Sequence, residues 1–116
     1  MKYLFKLDNQ QSAEVISDNL EGWEVVQGSP TMKTWILHTS NDGRMISGVW
    51  TATPGTYHAT YAEYEFVHII EGSITITPDG EESMDVGPGD AFVVEAGFTG
   101  TWEIKEPVLK HFDIQL

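Results

Sequence analysis

Hydrophobic and polar positions alternate in short runs from position 33 to the end of this chain, and no window carries a long apolar stripe at helical spacing. The runs are rich in β-branched and aromatic residues. Turn-forming residues separate them, as in Pro54-Gly55 and Gly87-Pro88-Gly89-Asp90. This pattern predicts an all-β sandwich or barrel. The predicted strands are residues 34–39, 45–53, 57–61, 65–71, 73–77, 83–86, 91–94, 100–105 and 108–115.

The first 32 residues lack this strand pattern. Positions 12–20 carry only a partial helical stripe, formed by Ala13, Val15, Ile16 and Leu20. We therefore predict a turn or a loose segment there. The chain is expected to form a single domain over residues 1–116, with residues 1–32 as an N-terminal extension that packs on or across the barrel.

Composition excludes several classes of partner and chemistry. The chain has 116 residues with 6 Lys and Arg against 18 Asp and Glu, a net charge of −12. This charge repels phosphate backbones and anionic lipid headgroups, so we expect neither nucleic acid nor membrane as a partner. The absence of cysteine excludes disulfides and thiolate chemistry. No apolar run suits a signal peptide or a bilayer span, so the expected location is cytoplasmic.

Two segments resemble the two sequence motifs of the cupin superfamily. The first runs from Pro54 to Gly72 and the second from Val86 to Glu103. More narrowly, they are similar to the Cupin_3 group of small single-domain cupins, which includes (S)-ureidoglycine aminohydrolase-like and ethanolamine-utilisation Q-like proteins. The resemblance covers residues 33–116. It implies an RmlC-like jelly-roll barrel, or double-stranded β-helix, of two antiparallel sheets around a central pocket.

The first cupin motif contains a His-x-His pair, then a glutamate after three or four residues, then a glycine. Glu65 and Gly72 keep the spacing of the last two. With the longer of the two allowed gaps, the His-x-His positions fall on His58 and Thr60. One of the two histidine ligands implied by the resemblance is therefore replaced.

The second cupin motif supplies a further histidine ligand. Gly89 and Gly97 match its glycines, but Gly100 stands at the histidine position. Only His58 and Glu65 of the four implied ligands then remain, and two ligands hold a transition metal weakly. We expect no tightly bound cofactor, while a divalent metal at His58 and Glu65 stays open.

The strand period of two places Glu65 on the same inward face as Val67 and Ile69. A carboxylate among apolar neighbours is costly unless it is hydrogen-bonded or binds something, so Glu65 and His58 are the candidate catalytic residues. Glu65 has an alternative interpretation as a purely structural carboxylate. Trp102 should face inward as well. The candidate ligand-binding residues are His58, Thr60, Tyr61, Glu63, Glu65 and Trp102.

Three functional hypotheses follow. The leading one is a small-molecule-binding cupin without a tightly bound transition metal, with a small polar metabolite in the barrel pocket. The second is a metal-dependent cupin enzyme acting on a small nitrogenous or carboxylate metabolite. The third is a non-enzymatic interaction module with a filled barrel. Whether the protein is an enzyme stays open at this point. A homodimer is expected because the barrel otherwise exposes open strand edges.

Overall fold

The computed structural model describes residues 2–7 and 13–116, and the described residues form nine strands and no helix. The strands are β1 (Val15–Ile16), β2 (Trp23–Gln27), β3 (Met32–Thr39), β4 (Met45–Ala52), β5 (Gly55–Thr60), β6 (Tyr64–Pro78), β7 (Met84–Val86), β8 (Ala91–Val94) and β9 (Thr99–Gln115). The predicted all-β fold is confirmed. Within the described ranges, no helix is long and apolar enough to cross a membrane.

The strands pair in the order β1-β3-β4-β9-β5-β2, and β6 pairs with β7, β8 and β9. All of these pairings are antiparallel. Strand β9 is central, because its first half pairs with β5, its second half with β4, and almost its whole length with β6. The two predicted layers are thus joined through β6 and β9 into one curled sheet.

Four predicted strands merge in pairs. Residues 65–71 and 73–77 lie in β6, and residues 100–105 and 108–115 lie in β9. The register of the β6–β9 pairing shifts repeatedly between residues 69 and 74, which explains the apparent break in the sequence pattern. Gly72 lies at this irregularity with φ of 92°, and a Cβ there would lie 2.3 Å from the carbonyl oxygen of Pro107.

The N-terminal segment contributes strands that the sequence pattern did not reveal. Residues 15–16 pair with β3 instead of forming a loose segment, and β2 pairs with β5. Residue 12, at the start of the predicted loose segment, lies outside the described residues. Nearer the N-terminus, the ring of Phe5 lies 4.2 Å from that of His38. The short strand β1 is visible only in its tertiary context, because two residues carry no periodicity.

The interior is dominated by aromatic and β-branched side chains. Trp50, Tyr57 and Trp102 are fully buried, together with apolar residues of β6 and β9. One row of directly paired residues crosses four strands on the inward face: Thr34 of β3, Trp50 of β4, Lys110 of β9 and Ile69 of β6. This row places a threonine and a lysine in an otherwise apolar interior.

Candidate functional site

The interior contains a buried ion pair between Glu65 and Lys110. Lys110 Nζ donates a hydrogen bond of 2.8 Å to Glu65 Oε2, and the two side chains are 2% and 5% exposed. The hydroxyl of Tyr61 donates a 2.6 Å bond to the other carboxylate oxygen, Oε1. Both oxygens of Glu65 therefore have a partner inside the protein, as a buried carboxylate requires.

Three separate elements bring these side chains together. Glu65 is the first inward-facing residue of β6. Lys110 lies in β9, where it pairs with Ile69 of β6. Tyr61 lies in the turn between β5 and β6, which is fixed because Tyr61 N donates to Phe98 O and Gly97 N donates to Tyr61 O. These backbone hydrogen bonds fix the position of Tyr61 beside Glu65.

Lys110 lies among aromatic rings. Its Nζ lies 4.5 Å from the ring centroid of Trp50, 4.7 Å from that of Trp102 and 6.0 Å from that of Trp23. Such rings attract a cation, more so where water is excluded. Burial lowers the pKa of Lys110, and the charge of Glu65 opposes that effect.

The pKa of Tyr61 is shifted in the opposite direction from that of Lys110. Its burial and the adjacent charge of Glu65 both raise the pKa of its hydroxyl well above the usual value. The phenol is therefore held neutral and acts as a hydrogen-bond donor to Glu65. It stacks with the indole of Trp102 at 6.3 Å between ring centroids.

A cavity of about 440 Å³ lies beside this cluster. Its polar interior groups are the side chains of Tyr61, Glu65, Lys110 and Thr34. The Oγ1 atom of Thr34 is buried and has no hydrogen-bond partner among the described residues. The other lining residues are Leu20, Glu21, Gly22, Trp23, Trp50, Thr60, Ala62, Glu63, Phe112 and Ile114.

Four of the six predicted ligand-binding residues line this cavity, namely Thr60, Tyr61, Glu63 and Glu65. Trp102 is fully buried and its ring contacts the Lys110 ammonium, but it does not line the cavity. The sequence reasoning missed Lys110 and Thr34. Their signal was present in the alternation of β9 and β3, where each occupies an inward position among apolar residues.

His58 lies away from the cluster. Its neighbours Tyr57 and Ala59 are fully buried, so His58 points outward, and its Nε2 lies 2.9 Å from Oδ2 of Asp79. This contact with His58 lowers the pKa of Asp79. The geometry does not support the hypothesis that His58 and Glu65 share one ligand or metal site, because His58 lies on the outward face of β5 and Glu65 on the inward face of β6.

The strand faces favour the other gap length in the first cupin motif. The shorter of the two allowed gaps before Glu65 places the His-x-His pair on Ala59 of β5 and Tyr61 of the following turn, which both face inward. The longer gap selects His58 and Thr60, and the structure places His58 on the outward face. With the shorter gap, Ala59 offers no donor atom in place of the first histidine, and the Tyr61 hydroxyl in place of the second already donates to Glu65.

This curled sheet around an inward carboxylate defines a small cupin domain. The chain matches the EutQ-like cupin domain family, Cupin_3, over residues 39–112, and it belongs to that family. None of the curated proteins compared with it matches.

Several solved structures share the fold. The EutQ protein of Clostridium difficile is 18% identical, with a TM-score of 0.67 over 75% of this chain and 69% of that one. A DUF861 family protein of Thermotoga maritima is 25% identical, with a TM-score of 0.54 over 55% and 73%. The polyketide cyclase RemF of Streptomyces resistomycificus is 16% identical, with a TM-score of 0.66 over 97% and 80%.

The metal site implied by the cupin resemblance does not fit the residues present. Among residues 2–7 and 13–116, no three His, Cys, Asp or Glu side chains lie close enough to hold a metal ion. Glu65 keeps its motif position, but Lys110 and Tyr61 occupy its oxygens. At Gly100, the position of the second-motif histidine, a Cβ would lie 2.4 Å from the carbonyl oxygen of Thr77.

We expect that removing either partner of the ion pair destabilises the protein more than removing both. Glu65→Gln or Lys110→Met alone leaves one charged or polar group unpaired in the interior and should lower the free energy of unfolding by about 3–5 kcal/mol. The double variant should lose less than either single variant. Urea denaturation of the four proteins measures this cycle.

Lys105→Met serves as the control. Lys105 Nζ lies 3.5 Å from Asp85 Oδ1, and both side chains of this ion pair are exposed. This exposed pair should contribute far less to stability. If the loss of unfolding free energy in the double variant equals the sum of the two single losses, Glu65 and Lys110 are not energetically coupled and this prediction is wrong.

We also expect the purified protein to carry well under one equivalent of zinc, manganese, iron, nickel or copper. The donor set offers one carboxylate that already binds an ammonium and a phenol. Elemental analysis after purification without chelators or nickel resin tests this. One metal per chain that survives dialysis, and is lost in Glu65→Ala, would show that Glu65 is a metal ligand after all.

Proposed function

We propose that this protein binds a small polar metabolite in the cavity beside Glu65 and Lys110. The observation that carries the proposal is an open volume of about 440 Å³, with aromatic walls and a few converging polar groups. Ligand sites in proteins have this size and composition. The ion pair and the Tyr61 hydroxyl are held by contacts within the protein, which favours a largely preformed site.

The two rival functions have less support. A metal-dependent enzyme requires a donor set that the inward residues Ala59, Tyr61 and Gly100 do not provide. An interaction module with a filled barrel would have no cavity beside Glu65, whereas a cavity is present there. Binding without tightly held metal is the function that the geometry favours.

Blocking the cavity mouth tests the proposal. Ala62 is exposed and lines the cavity, so Ala62→Trp should fill the mouth with little effect on folding. A thermal-shift screen of small metabolites should find compounds that stabilise the wild type by about 2.7 kcal/mol at 100 times Kd. The same compounds should not stabilise Ala62→Trp.

Ala91→Trp is the matched control, because Ala91 is also exposed but does not line the cavity. Compounds that stabilise the wild type should stabilise this control equally. Equal stabilisation of Ala62→Trp would place binding elsewhere. A broad metabolite screen without any stabilising compound would count against the function itself.

We also propose that the protein is a homodimer. Among the described strands, β1 and β2 each pair on one side alone, and both expose apolar residues, including Val15 and Val26. An uncovered edge of this kind favours pairing with a second chain. Light scattering at micromolar concentration should give twice the chain mass of 13.0 kDa. Val15→Lys or Val26→Lys should shift that mass toward the monomer, and a wild-type mass of one chain would refute the dimer.

A further inference from the structure

We propose that Thr34 and Lys110 together hold a neutral oxygen acceptor, the carbonyl of an uncharged planar ligand, inside the cavity beside Glu65. This inference rests on the proposed binding function and names the chemical class of the ligand. It is carried by two polar groups of the cavity wall that keep unused hydrogen-bonding capacity.

The Thr34 hydroxyl is the first of these groups. Thr34 is 4% exposed, its Oγ1 has no hydrogen-bond partner among the residues that the structure describes, and it lines the cavity. A buried hydroxyl without a partner is unfavourable, and a valine would fill the same space without that cost. A ligand atom at this point of the wall would satisfy the hydroxyl.

The Lys110 ammonium is the second group. An ammonium has three N–H donors. In the described part of the chain, its one hydrogen-bond acceptor is Glu65, and its other close neighbours are the tryptophan rings. In the proposed complex, one of the two N–H groups not bonded to Glu65 donates to an acceptor in the cavity that Lys110 lines.

The sheet places these two residues on the same face of the interior. Thr34 and Lys110 both pair with Trp50, one from each side, so they lie two strands apart, and both line the cavity. In the proposed complex, the ligand carbonyl lies over Trp50 between them and accepts a hydrogen bond from each.

Charge selects a neutral acceptor over an anion. The charge of Lys110 is balanced by Glu65 at 2.8 Å, so the interior offers no uncompensated positive charge. The exposed carboxylates of Glu21 and Glu63 also line the cavity, in a chain with net charge −12. These charges repel a carboxylate or phosphate, whereas an amide, lactam or ketone carries none.

The aromatic walls favour a flat ligand. Trp23, Trp50 and Tyr61 all line the cavity. A conjugated ring next to the carbonyl would gain from stacking or edge contacts with these side chains. The combination points to a carbonyl group attached to a planar ring system.

A series of three probes with the same ring tests the assignment: benzamide, benzoate and benzylamine. NMR titration of the full chain should show that benzamide binds more tightly than benzoate, which the acidic residues repel. It should also bind more tightly than benzylamine, because an ammonium group cannot accept a hydrogen bond from Thr34 or Lys110. Thr34→Val should weaken benzamide binding about tenfold, because it removes one hydrogen bond to the carbonyl. Thr34→Ser should retain most of the affinity.

A second readout separates this role from a structural one. Thr34→Val should raise the melting temperature of the unliganded protein, because it removes an unsatisfied buried hydroxyl. A structural threonine would instead lose stability on the same change. Opposite effects on stability and on benzamide binding are therefore expected from this single substitution.

The outcomes separate failure of this inference from failure of the proposed function. If benzoate or benzylamine binds most tightly, or if Thr34→Val leaves benzamide affinity unchanged, the inference is wrong while cavity binding stands. If none of the probes binds but other metabolites stabilise the wild type and not Ala62→Trp, the inference again fails alone. If no compound stabilises the wild type more than Ala62→Trp, both this inference and the proposed binding function are wrong.

Discussion

The buried pair of Glu65 and Lys110 constrains the whole interior. Neither charge is tolerable without the other at 2% and 5% exposure, so the strands that hold them must keep one register. Lys110 fixes the position of β9 relative to the start of β6, and Tyr61 attaches the turn before β6 to the same carboxylate. The tryptophans around the ammonium reduce the cost of burying it.

In a cupin with the usual histidine ligands, the central cation is a metal. In this chain, Glu65 keeps the glutamate position of that motif and receives an ammonium that the protein itself supplies. The replacement is consistent across the site, since Ala59 cannot bind a metal and Gly100 has no space even for a Cβ. Under the proposed binding function, the cavity beside this ion pair recognises its ligand through hydrogen bonds and ring contacts.

The sequence predicted the local features of this site better than its long-range ones. Alternation and turn residues revealed the strands after position 33, and the motif spacing placed Glu65 on the inward face. Tyr61 was named because it follows His58 along the chain and could complete a polar rim, and it lies only four residues from Glu65. Lys110 lies 45 residues away, and no short motif indicates which distant strand faces a given carboxylate. For His58, two gap lengths satisfied the same motif, and the sequence does not show which residues of β5 face inward.

Part of the cavity wall comes from residues 20–23, which lead into the edge strand β2. This strand is held by β5 alone among its described neighbours, whereas β9 at the opposite wall pairs along both sides. Local opening is easiest where an element has fewest neighbours, so this wall should separate before the rest of the sheet. The residence time of a bound molecule would then depend on how often β2 detaches from β5.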